Sequence, residues 1–158
     1  MVNDHYRQVT VVSIGPADEH HVTLAEIVSG AEWKLCPDTR WTLKSFPNMR
    51  TAGAVLRSGD VSIVLYNKDG EPTEWAQTLD RLMQLPHKPL PIVTSRAADD
   101  RLWSEALNLG AYDVLGKPFD RAEVVRTLSH AWLRWAERRR PAVSAITRAI
   151  GMPLSAWC

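Results

Sequence analysis

Residues 90–120, LPIVTSRAADDRLWSEALNLGAYDVLGKPFD, restrict the fold more than any other part of the chain. Ile92-Val93-Thr94 is short, apolar and β-branched, which predicts a strand. Residues 99–109 place Leu102, Ala106 and Leu109 on one helical face, Gly110-Ala111 makes a turn, and residues 112–115 form a second short strand. Lys117-Pro118-Phe119 closes the unit. A lysine before a proline at the end of a buried strand holds an ammonium over the carboxyl edge of a parallel sheet, where open α/β sheets place their functional sites.

The rest of the chain repeats the alternation. Residues 8–15, QVTVVSIG, form a first buried strand that ends in Gly15-Pro16. A helix follows from Asp18 or His20, with Val22, Leu24, Ile27 and Val28 apolar, until Ser29-Gly30 stops it. Residues 32–36 are expected as a short second strand. Residues 37–48, PDTRWTLKSFPN, mix turn residues with Trp41, Leu43 and Phe46, and fit either a β-extension or an exposed hairpin. Met49–Arg57 is expected as a helix. Residues 61–66, VSIVLY, suit a strand covered on both faces. Asn67-Lys68-Asp69-Gly70 is a loop, residues 73–84 a helix with Trp75, Leu79, Leu82 and Met83 inward, and residues 86–91 a break. Arg121–Arg138 is the longest helix, with Val125, Leu128, Trp132 and Trp135 spaced by three and four.

About five strand and helix alternations predict an α/β domain with a doubly wound five-stranded parallel sheet and helices on both faces. At 158 residues, 45% of them hydrophobic, the chain has room for one domain with a real core. We expect the domain at 1–140 and a short C-terminal helical tail at 141–158. In the tail Val143, Ile146 and Ile150 share a face that must bury against the domain or a second copy.

A formal charge of +1 gives no whole-chain case for a polyanion partner. The arginines gather in residues 121–158, where seven face only Glu123 and Glu137. Arg138-Arg139-Arg140 could touch nucleic acid, but arginines closing a helix are also what its dipole and solvent favour, and no helix-turn-helix module follows. Cys36 and Cys158 suggest neither a disulfide framework nor a metal site. The apolar run 9–14 is interrupted by Thr10 and Ser13 and lacks a basic flank and a cleavage pattern. No stretch approaches the roughly 20 apolar residues of a membrane span. These features predict a soluble cytoplasmic protein.

The order of strand, small hydroxyl residue, helix, Gly110-Ala111, aliphatic strand and Lys117-Pro118-Phe119 resembles the receiver domain of bacterial response regulators, the flavodoxin-like module of two-component signalling. The resemblance is strongest over residues 90–119 and extends more weakly from about 8 to 138. It implies an Asp ending the third strand as phosphoryl acceptor and an acidic pair after the first strand holding Mg²⁺. It also implies a Thr or Ser after the fourth strand and a Lys after the fifth, which bind phosphoryl oxygens. A phosphoaspartate then draws the hydroxyl inward and switches a surface.

Carried over residue by residue, the sensing positions are Ser95 and Lys117, and the Lys117-Pro118 bond is implied to be cis. The acceptor position falls on Asn67, whose amide is not a competent nucleophile. Gly15 and Pro16 stand where the acidic pair would be, and neither offers the side-chain oxygen that a hard cation needs. No metal and no cofactor are therefore expected. Val114 replaces the family's switch aromatic. The expected interaction surface is Trp103, Val114, Trp132 and Trp135, with core filling the competing explanation for Trp132.

Asp69 is the best remaining acceptor carboxylate, with Asp18 or Glu19 as its metal ligand if the loop folds back; a turn aspartate before Gly70 is the plainer explanation. His20 and His21 read as solvated helix-start residues rather than ligands or phosphocarriers. The expectation is a non-enzymatic receiver-like protein, independent of aspartyl phosphorylation. Its expected partner is a sensor kinase, a downstream signalling protein or a second copy of itself.

Overall fold

In the computed structural model, residues 6–70 and 74–139 are described; the expected tail, Arg140 and Cys158 lie outside them. Five parallel strands form one sheet in the order β2-β1-β3-β4-β5: β1 Arg7–Ile14, β2 Thr39–Phe46, β3 Val61–Asn67, β4 Leu90–Ser95 and β5 Asp113–Gly116. The helices are α1 Glu19–Gly30, α2 Met49–Arg57, α3 Trp75–Met83, α4 Asp100–Asn108 and α5 Arg121–Arg138. This is the doubly wound α/β architecture that the alternation predicts.

Strand pleating divides the core in two. Val9, Val11, Ile63, Leu65, Ile92 and Leu115 point to the face covered by α1 and α5, where they meet Leu24, Ile27, Val124, Leu128 and Trp132. Val12, Ile14, Val64, Tyr66 and Val93 point to the opposite face and meet Ala52, Leu56, Leu79, Leu82, Leu102 and Ala106 of α2, α3 and α4. Residues 61–66 of β3 are all buried, as a strand between two helical layers requires.

Side chains set several helix starts. Asp18, Asn48, Asp99 and Asp120 each cap one by accepting a backbone N–H three residues on, at 2.8–3.0 Å.

Several local expectations are corrected. The second strand is Thr39–Phe46 and not residues 32–36. It lies at the sheet edge with no position fully buried, so it lacks the apolar signature of the inner strands. The apolar residues that made 32–36 look like a strand have other uses. Trp33 stacks on Trp41 with ring centroids 3.8 Å apart, and Cys36 is buried beneath α5, its thiol 3.6 Å from the Ser129 carbonyl.

The helix before residues 86–91 does end, at Met83, but β4 begins at Leu90 rather than Ile92, so Pro91 lies within the strand, one residue before the pairing with β5 begins, where its missing N–H is not required. Val22, Met83 and Leu109 face solvent rather than the core. Val124, not Val125, is the fully buried valine of α5.

Candidate functional site at the carboxyl edge of the sheet

The parallel register brings Ile14, Asn67, Ser95 and Gly116 to one edge. Lys117, one residue beyond β5, turns back over that edge. Its backbone N–H donates to the Ser95 carbonyl at 3.0 Å, and the following Lys117-Pro118 peptide bond is cis.

The Lys117 side chain is only 2% exposed, so its ammonium must find partners inside the site. It donates to Asn67 Oδ1 at 2.8 Å and to Asp69 Oδ2 at 3.3 Å, and pairs with Asp18 Oδ2 at 3.7 Å. The shortest contact is to the neutral amide. Asn67 Oδ1 also accepts the Asp69 backbone N–H at 3.0 Å, which bends the chain sharply after β3.

That bend carries the Asp69 carboxylate across to the β4–α4 loop. Oδ1 accepts the Ser95 hydroxyl at 2.8 Å, and Oδ2 accepts the Arg96 backbone N–H at 2.9 Å. Burial alone would raise the Asp69 pKa. The Ser95 hydroxyl, the Arg96 amide and Lys117 together outweigh it and hold the carboxyl below the ordinary aspartate value. Asp18 behaves alike: burial is opposed by the His21 amide, then Lys117, and its carboxyl also titrates low.

The sequence-derived sensing pair, Ser95 and Lys117, therefore does converge with Asn67. Asp69 joins them, a role that the turn explanation missed. Asp69 fulfils both descriptions, since its backbone makes the turn and its side chain completes the cluster. The available signal was its place two residues beyond a strand that ends at the same sheet edge as Ser95. Asp18 also faces the site, whereas Glu19 is 80% exposed and lies 3.9 Å from Arg96 and 3.6 Å from His20. His20 packs edge-on against Phe119, and His21 lies 3.4 Å from the Ser45 hydroxyl.

Gly15 has a steric reason to be glycine. Its φ is +149°, and a Cβ there would sit 2.5 Å from Asn67 Cβ. A side chain at this position, acidic or otherwise, has no room while Asn67 stays in place. Pro16 packs against Gly70, where an added Cβ would meet the Pro16 ring at 2.6 Å.

The residues do not fit the Mg²⁺ that the resemblance implies. Gly15 and Pro16 contribute no side-chain oxygen, the oxygens of Asn67, Asp69 and Asp18 surround the Lys117 ammonium, and the described residues contain no metal-ligating group of three His, Cys, Asp or Glu side chains.

The expected interaction surface divides. Trp103 is 50% exposed, its indole N–H 3.4 Å from Asp113 Oδ1. Trp132 and Trp135 are 4% and 9% exposed and stack on one another, with ring centroids 5.5 Å apart, so in this chain they are interior residues. Val114 is likewise buried. The three-and-four spacing of α5 directed both tryptophans inward because that face covers the sheet. No helix among the described residues is long and apolar enough to cross a membrane.

No protein-family model matches the chain, and no curated protein does. Solved structures do. The receiver domain of an HD domain-containing protein from Pseudomonas fluorescens Pf-5 superimposes with a TM-score of 0.68 and 20% identity, over 83% of this chain and 99% of that one. A response regulator from Thermotoga maritima gives 0.64 and 17%, over 80% and 98%. CpaE2 of Sinorhizobium meliloti 1021, named for pilus assembly, gives 0.60 and 21%, over 78% and 99%. At such identities the likeness defines the fold: this is the response-regulator receiver fold.

Proposed function

We propose that this chain is a receiver-type module of bacterial signal transduction that acts by protein–protein contact, without a phosphoryl group at the usual position. The observation that carries this reading is the contact between Asn67 Oδ1 and Lys117 Nζ at 2.8 Å. The residue facing the lysine is an amide. It satisfies the ammonium but cannot serve as the carboxylate nucleophile of acyl phosphate chemistry. Gly15 and Pro16 remove the metal ligands in the same site, and losing both removes the mechanism rather than one part of it.

The partner expected on this reading is a sensor kinase or a downstream signalling protein in the cytoplasm, met through the exposed side of α4 around Trp103. DNA is less well supported. Arg139 is occupied within the fold, its guanidinium 3.3 Å from the Gly59 carbonyl and 4.6 Å from the Trp135 ring centroid.

The test is a titration of the protein with Mg²⁺ and beryllofluoride, followed through the amide resonances of Asn67 and Ser95. The reading predicts no saturable shift. A saturable shift that vanishes in Asn67→Ala would place the acceptor at position 67 and defeat it, while one that survives in Asn67→Ala would favour a displaced acceptor at Asp69.

A further inference from the structure

Three donors converge at the sheet edge: the Ser95 hydroxyl, the Arg96 backbone N–H and the Lys117 ammonium. Such a set suits an oxyanion, because each bond to a charged acceptor is stronger than its neutral counterpart. All three reach one group already within the chain, the Asp69 carboxylate, at 2.8, 2.9 and 3.3 Å.

Ser95 has committed its one hydroxyl hydrogen to Asp69. It is 1% exposed and accepts the Ala97 N–H at 3.1 Å. From Ser95 the bonds continue into α4. The Asp99 N–H donates to the Ala97 carbonyl at 2.9 Å, and the Asp99 carboxylate accepts the Leu102 N–H at 2.8 Å. The next residue is the exposed Trp103.

We infer that Asp69 is a built-in oxyanion that fills the place an added phosphoryl group would take, and so keeps the β4–α4 loop and the start of α4 permanently in their anion-bound arrangement. This inference rests on the reading that position 67 accepts no phosphoryl group. It adds a cause for a constant output: the carboxylate is fixed by covalent attachment, so it fills the site whatever the concentration of free anions. Removing it leaves a vacant anion site that an external carboxylate or inorganic phosphate can fill.

The experiment compares the parent with Asp69→Ala by amide hydrogen exchange and by the Trp103 indole N–H resonance, with and without added acetate or inorganic phosphate. In Asp69→Ala, exchange at the Arg96 and Ala97 amides rises by about tenfold or more, the factor expected for loss of a charge-assisted bond. The Trp103 indole resonance moves. Acetate or phosphate at millimolar concentration returns both toward their parent values in a saturable way, and the parent itself responds to neither anion. Should Asp69→Ala fold poorly, Asp69→Asn, which keeps an oxygen for Ser95 but loses the charge, shows a smaller rise in Arg96 exchange.

Unchanged exchange at Arg96 in the variants overturns the inference. So does an unmoved Trp103 resonance, because α4 then does not depend on Asp69. These outcomes are separate from the phosphorylation question: phosphoryl uptake at position 67 defeats the proposed function whether or not the loop loosens without Asp69.

Discussion

The Lys117 ammonium lies 2.8 Å from the Asn67 amide oxygen, although two carboxylates stand at 3.3 and 3.7 Å. The amide thus occupies the centre of the site and the acidic groups its margin. The cluster holds one buried cation and two partly exposed carboxylates around a neutral amide, a formal excess of one negative charge that the carboxylates' exposure to water tolerates.

Replacing Lys117 by methionine keeps the aliphatic stem and removes the charge. Asp69 and Asp18 then lose their shared cation, and Asn67 loses its closest donor. Breaking a buried pair costs about 3–5 kcal/mol when the charge left behind is fully buried. Here the carboxylates are 31% and 29% exposed and can regain water. Lys117→Met is therefore expected to lose about 2 kcal/mol, measured as a lower urea midpoint with an unchanged m value.

Gly15→Ala tests the steric argument. The added methyl carbon would approach Asn67 Cβ to 2.5 Å, and the backbone φ of +149° disfavours a side chain independently. A loss of about 2 kcal/mol or more is expected, together with altered Asn67 and Lys117 resonances. Parent-like stability would show that the turn relaxes without strain.

Acid should weaken the fold through the same cluster. Asp69 and Asp18 both titrate below the ordinary value when folded. Their stabilising contribution is complete above the unfolded aspartate pKa of roughly 4 and is lost as pH falls through the lower folded values. The charged and titratable groups facing Asp69 are Lys117 and, across it, Asp18; Arg96 contributes its backbone amide, and its side chain pairs with Glu19. Asp69→Asn should flatten the decline in stability below roughly pH 4, measured by urea unfolding at several pH values.

The tryptophans should separate by role. Trp132 is 4% exposed, so Trp132→Ala is expected to cost about 3–5 kcal/mol. Trp103 is 50% exposed, and Trp103→Ala should change stability by less than about 1 kcal/mol. Urea unfolding of the two variants distinguishes a core side chain from one free to meet a partner.

Strong local patterns made much of this architecture readable in advance. Met49–Arg57 and Arg121–Arg138 have apolar positions at regular helical spacing, and β3 is apolar enough to announce burial on both faces. Thr39–Phe46 gave a weaker signal: Trp41 and Leu43 do alternate with Arg40, Thr42 and Lys44, but no position of this edge strand is fully buried, and the turn residues at 37–38 and 47–48 fit a hairpin as well as a strand. At the site, Ser95, Lys117 and Asn67 could be placed by counting from strand ends. Asp69 could be named but not assigned, since its bond to Ser95 spans 26 residues of chain and depends on how the turn after β3 is bent. The Gly15 constraint was invisible for the same reason: it exists only where β1 and β3 lie side by side.

The most direct measurement is intact mass after incubating the parent protein with Mg²⁺ and acetyl phosphate. With an amide at Asn67 and its oxygen held by Lys117, the mass should remain that of the unmodified chain. A stoichiometric, hydroxylamine-labile phosphoryl adduct would contradict the account.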